Sequence, residues 1–113
     1  MTTRHRLTVD LKNDPRLIAA YRAHHERIWP EIAQSIREAG IVSMEIYRRG
    51  TRLVMVMEVT PEFSFEAKAA ADRANPAVRA WETLMWTFQQ ALPDAPPAEK
   101  WQPMERIFSL AGR

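Results

Sequence analysis

Between Arg4 and Leu11 the side chains alternate, with His5, Leu7, Val9 and Leu11 on one side and Arg4, Arg6, Thr8 and Asp10 on the other. This is the period-two pattern of a half-buried strand. Asn13-Asp14-Pro15 follows as an N-cap carboxylate with proline in the first turn, and predicts a helix running to a stop at Gly40. Pro30 has no N–H to give the carbonyl of Glu26, so this helix is expected to kink or break near Trp29. Ile41 to Arg48 and Arg52 to Val59 flank Arg49-Gly50-Thr51 as a β-hairpin. The second hairpin strand is apolar on both faces, with Leu53, Met55, Met57 and Val59 against Val54 and Val56, so both faces of the sheet require cover. Helices of so short a chain cover only one face, and the other predicts a homodimer of sheet against sheet.

Thr60-Pro61 opens a further helical stretch through the alanine-rich segment Glu66 to Ala71. Asn75-Pro76 repeats the cap-then-proline signal for a helix to about Leu92. Pro93 to Pro97 is a surface connection, and the alternation of Met104, Arg106, Phe108 and Leu110 predicts a last strand over Gln102 to Leu110. The order is strand, helix, strand, strand, helix in two pieces, strand. It defines an α+β fold of ferredoxin-like βαββαβ order, an antiparallel sheet with helices on one face, and two such sheets paired through their free faces make a dimeric α+β barrel. Ligand space is expected between helix and sheet, or inside the barrel. Residues 1–113 form a single domain at this length.

Composition narrows the function classes. With 46% hydrophobic and 27% charged residues the chain is an ordinary globular sequence, and without cysteine it has neither disulfides nor thiolate chemistry. The pI of 9.4 rests on a net charge of only +2, and the basic residues are scattered among acidic ones, so no nucleic-acid partner is expected. The longest apolar run, Leu53 to Val59, carries Glu58 and falls far short of the roughly 20 residues of a bilayer span. No membrane partner and a cytoplasmic location are expected, as no apolar leader core follows Met1. The three glycines, Gly40, Gly50 and Gly112, are too dispersed for a phosphate loop, and there is no GxSxG elbow. The histidines lack metal-site spacing, so no metal is expected, nor any nucleotide cofactor without a phosphate loop.

Chemistry concentrates on the first helix. Tyr21 and His25 are i,i+4 neighbours, and Trp29 continues their row one turn on. Such a strip supplies a hydroxyl, an imidazole that titrates near neutrality and an apolar stacking surface, although a packed core face with a hydrogen-bonded histidine has the same pattern. His24 lies roughly 100° around the helix from His25, so the two serve different roles. In the later helix Val78, Trp81, Met85 and Leu92 share one face with Phe88 at its edge. Trp86 is turned about 140° from Trp81. It either lines a cavity, stacking on a ring such as a sugar, or it or Trp101 packs at a dimer interface.

The run Tyr21-xxx-His25-xxx-Trp29-Pro30-Glu31 resembles the L-rhamnose mutarotase family, small dimeric α+β barrel proteins that interconvert the anomers of a deoxysugar. The resemblance extends over nearly the whole chain, through Ile46-Tyr47, Leu53 to Val59, the tryptophan-bearing helix and Met104-Glu105-Arg106-Ile107-Phe108. It implies that His25 is the general acid and Tyr21 a sugar contact. A second family tyrosine falls on Met44, which removes a hydroxyl from the expected pocket. The family's paired tryptophans align with Ala80 and Trp81, and Trp86 is a further candidate for covering the methyl-bearing face of the sugar. The substrate implied is a 6-deoxyhexose, L-rhamnose first, turned over without a cofactor, with the Trp81 to Trp86 segment resembling a subgroup that acts on L-fucose or another deoxysugar. Competing readings are another cofactor-free enzyme of the dimeric α+β barrel type, such as a monooxygenase or decarboxylase, or a non-catalytic ligand-binding or assembly module.

Overall fold

The computed structural model describes residues 1–96 and 100–112. Its elements are β1 (Thr3–Leu11), α1 (Pro15–Glu26), α2 (Pro30–Glu38), β2 (Ile41–Arg49), β3 (Arg52–Val59), α3 (Phe65–Ala74), α4 (Pro76–Trp86), β4 (Gln89–Gln90) and β5 (Gln102–Pro103). Strand order is β2-β3-β1-β4, all antiparallel, with β5 also on β1. This is the expected ferredoxin-like α+β arrangement. No helix of the described residues is long and apolar enough to cross a membrane.

Local chemistry sets the boundaries. Asp14 caps α1 by accepting from the Arg16 N–H, and α1 ends at Glu26 rather than continuing to Gly40. Pro30 starts α2 as its first residue, so the proline breaks the helix near Trp29 as expected. Gly40 closes α2 with φ +96°, and Gly50 turns the hairpin with φ +59°, backbone conformations that cost a side-chain-bearing residue energy. Asn75 caps α4 through the Ala77 N–H while ending α3.

The register aligns three rows on the helix-covered face of the sheet. His5, Met57 and Met44 form one row, Leu7, Met55 and Ile46 the next, and Val9 and Leu53 a third. The apolar core divides in two along these rows. One cluster gathers Val9, Leu11, Leu53, Tyr21, Val78, Trp81, Met85 and Phe88, and the other Ile41, Met55, Met57 and Val59. On the opposite face Val54 and Val56 are half-buried and Tyr47 is exposed.

Two expectations for the C-terminal third are corrected. The helix expected to reach Leu92 stops at Trp86, because the Thr87 hydroxyl donates to the Leu84 carbonyl and the chain then pairs Gln89 and Gln90 with Leu11 and Asp10. The strand expected over Gln102 to Leu110 is limited to Gln102–Pro103, with one more bond from the Met104 N–H to the Arg6 carbonyl. The fourth ferredoxin-like strand is thus two short pieces on one edge of β1. Beyond it Ile107, Phe108 and Leu110 are exposed. The proline-rich connection ends at Pro97, which lies outside the described residues.

Candidate active site

A cavity of about 480 Å³ lies between the sheet and the helices, at the seam of the two core clusters. Its size is that of a small-molecule site. Leu7, Met44, Ile46, Met55 and Met57 of the sheet form one wall. Tyr21, His25 and Trp81, three of the candidates named from the sequence, form another.

The geometry follows from i,i+4 spacing on α1. The Tyr21 and His25 rings are 4.3 Å apart, and Trp81 from α4 stands edge-on to His25 at 5.6 Å. Trp29 does not line the cavity. It sits edge-on behind Trp81 at 5.1 Å and braces the indole. His24 also lies outside the lining, against Trp81 and Phe88.

Each polar group here is constrained. His25 Nδ1 lies 2.8 Å from the Tyr21 carbonyl oxygen. A carbonyl only accepts, so Nδ1 carries the proton and Nε2 is left with a lone pair in the neutral ring. Burial lowers the His25 pKa from its ordinary 6.5, outweighing the carbonyl bond that raises it, and nearby His24 lowers it further. His25 is therefore a neutral base at pH 7. Tyr21 is buried, and burial pushes its hydroxyl up to about 12 despite a bond to Gln89 that opposes the shift. Tyr21 remains an O–H donor throughout the physiological range.

Gln89 was not foreseen. The residue is 3% exposed, its Nε2 donates to the Tyr21 hydroxyl at 3.4 Å, and its Oε1 has no partner among the described residues. A glutamine at the expected end of an amphipathic helix gives no signal of burial. It becomes buried only because the chain leaves the helix to pair with β1. Trp101 likewise lines the cavity, which goes against reading it as interface packing alone. Met44 lines it in register with Met57. Trp86 does not: it lies outside the lining, with the Lys100 ammonium 5.4 Å over its ring. Among the described residues no group of three or more His, Cys, Asp or Glu is placed to hold a metal ion.

Fold and site together define a class: an α+β protein of ferredoxin-like order in which an imidazole, a phenol and an indole line a cavity of small-molecule size between sheet and helices. The family model for L-rhamnose mutarotase matches residues 4–110. The chain belongs to the L-rhamnose mutarotase family, whose members are isomerases that interconvert sugar anomers. It is 48% identical over 105 residues to an L-fucose mutarotase of Xanthomonas campestris pv. campestris, covering 91% of this chain and 84% of that relative. Against an L-rhamnose mutarotase of Acidiphilium cryptum the identity is 28% over 99 residues, covering 86% and 89%. The crystal structure of an L-rhamnose mutarotase from Formosa agariphila superposes with a TM-score of 0.69 at 22% identity, covering 96% of this chain and 98% of that one, a likeness of fold.

Proposed function

We propose that the cavity binds a 6-deoxyhexopyranose and catalyses its ring opening and reclosure, with L-fucose preferred over L-rhamnose. The carrying observation is the His25 Nδ1 bond to the Tyr21 carbonyl, which leaves Nε2 as a base in the cavity wall. Nε2 takes the proton of the anomeric hydroxyl while the Tyr21 O–H delivers one to the ring oxygen, and the bond from that oxygen to C1 breaks. Rotation about C1–C2 exposes the other face of the aldehyde. Reclosure returns the hydroxyl proton to Tyr21 and the imidazolium proton to the new anomeric oxygen. This refines the general-acid role expected for His25 into a base first and an acid second. Trp81, braced by Trp29, offers an apolar face to the sugar, and Met44 with Met55 and Met57 faces its methyl group. Each acid or base group contributes about 10²- to 10⁴-fold. The 48% identity to an L-fucose mutarotase supports the choice of sugar.

The same reading includes a homodimer. Rows Glu45–Val56–Arg6 and Tyr47–Val54–Thr8 lie on the face away from the helices, and the exposed Tyr47, with apolar Ile107 and Phe108 beyond β5, fits a second copy. Sedimentation equilibrium tests this, and a monomer at micromolar concentration removes it. The activity is tested by exchange NMR on the anomeric protons of L-fucose, L-rhamnose and a non-deoxy control. Exchange accelerated by the wild type and lost in His25→Ala is the expected result. No acceleration with any sugar by the folded protein overturns the reading.

A further inference from the structure

Among the helices, α3 alone has no fully buried side chain, and its helical neighbour is α4. Phe65, Lys68, Ala69 and Asp72 nevertheless line the cavity, at the i, i+3, i+4, i+7 spacing of one helix face. Where an amphipathic helix over a core carries apolar residues, this stripe carries an ion pair at its second and last positions. Lys68 Nζ donates to both Asp72 oxygens, at 2.9 and 3.0 Å, and the two side chains are only 20% and 17% exposed. The other ion pairs among the described residues, Arg4–Glu58, Arg16–Asp14 and Arg52–Asp10, lie away from the cavity.

An i,i+4 pair on an open helix face adds little stability, and drawing it into a largely apolar wall costs desolvation. The cost is offset when the pair's spare capacity is used. Two bonds from one ammonium leave further lone pairs on both carboxylate oxygens and at least one N–H on the lysine. A hydroxyl both donates and accepts, so a pair of neighbouring hydroxyls matches a carboxylate beside an ammonium. Lys68 and Asp72 also border a second, more polar cleft, and of the other polar lining residues Ser35 donates its hydroxyl to the Ile32 carbonyl and Lys100 donates to the Glu82 carbonyl, while Leu7, Met55, Met57 and Phe63 offer no hydrogen bond.

Position selects which hydroxyls. Phe65 begins the stripe against His5, near the start of β1, at a ring distance of 4.9 Å. Tyr21 is tied to Gln89, which pairs with Leu11 at the end of β1. The two anchors therefore sit at opposite ends of β1. α3 thus meets the cavity from the side remote from the proton-transfer groups. In a pyranose C4 lies across the ring from C1, and L-fucose and L-rhamnose differ in configuration at C2 and at C4.

We propose that the Lys68–Asp72 pair binds the C3–C4 edge of the sugar and thereby sets which 6-deoxyhexose is turned over. This rests on the mutarotase reading above. The test is exchange NMR at several concentrations of L-fucose and of L-rhamnose, with wild type, Asp72→Asn and the double variant Lys68→Gln/Asp72→Asn, each melted by circular dichroism. The amide double variant keeps the length and polarity of both side chains and leaves no unpaired charge, so a purely structural pair predicts wild-type kinetics for it. The expected result is a KM raised about tenfold or more in both variants, as for a lost hydrogen bond to a charged group, with a smaller change in kcat and a compressed preference between the sugars. A folded double variant with wild-type KM and preference overturns the proposal. So does a KM defect confined to an Asp72→Asn protein that melts early. If the wild type itself accelerates neither sugar, the mutarotase reading has failed instead, and the pair has no sugar to select.

Discussion

Replacing Gln89 with methionine separates what this residue does for stability from what it does for the site. The residue is 3% exposed, with one end of its side chain donating a long 3.4 Å bond to the Tyr21 hydroxyl and the other end unpartnered among the described residues. A buried carbonyl without a partner costs about 1–3 kcal/mol, whereas a bond as long as this one sits at or below the low end of the usual range of about 0.5–1.5 kcal/mol. Methionine is unbranched and of similar length, so it fills the volume without strain. The net expectation is a gain of about 1 kcal/mol, a rise of about 4 °C in Tm for a chain of this size, read by circular dichroism at fixed protein concentration. Function moves the other way. Gln89 is the group that directs the Tyr21 hydroxyl and opposes the upward shift of its pKa, so its loss leaves a less directed and weaker acid. Anomer exchange should fall about tenfold, equivalent to about 1.4 kcal/mol in the barrier. A variant destabilised by more than about 1 kcal/mol, or one as active as wild type, refutes this reasoning.

The pH dependence of His25 has a definite sign. Its folded pKa is lowered, so between that value and 6.5 the unfolded chain binds more protons, and stability is lost as pH falls through this window. A base role makes exchange fall with it, and an acid limb in the rate profile centred above 6.5 would contradict the assignment. Trp81→Ala should lower exchange by an order of magnitude or more while Trp86→Ala, outside the cavity, leaves it near wild type in the same NMR assay. Gly40→Ala should cost at least about 1–2 kcal/mol in chemical denaturation, since φ is +96° and the added Cβ would stand 2.7 Å from Thr60 Oγ1. An unchanged denaturation midpoint would show that the α2–β2 junction relaxes freely.

What could be read in advance depended on how local its cause was. Alternation in β1, the Gly50 turn and the proline break between α1 and α2 each follow from a few neighbouring residues, and all three stand. The row Tyr21–His25 was legible for the same reason. The last strand was not, because alternation reports a side-chain period and says nothing about which edge supplies the hydrogen bonds. The edge of β1 is shared by Gln89–Gln90 and Gln102–Pro103, leaving the residues after Met104 without a strand to pair with among those described. Gln89 was missed through the same long-range event. Lys68 and Asp72 were missed for the opposite reason: an i,i+4 ion pair in an alanine-rich helix has the sequence pattern of a solvated face, and only the fold turns that face towards the cavity.

That ion pair also opposes closure of the cavity. Helix α3 connects to α4 through the shared cap Asn75, so its C-terminal end is held, while its inner face presents a lysine, an alanine and an aspartate to Met55, Met57 and Leu7 across the gap. Leucines at 68 and 72 would gain about 1.5–3 kcal/mol each by collapsing onto the thioethers, and the two core clusters would fuse. The charged pair cannot make that exchange without losing its hydration, so the seam stays open. Atoms lining an open seam forgo the dispersion contacts of a filled core, which makes the apo fold less stable than its helices and sheet would allow. If the pair binds sugar as proposed, a ligand that satisfies it and fills the seam recovers part of that difference, and saturating L-fucose raises the melting temperature of the wild type more than that of Lys68→Gln/Asp72→Asn.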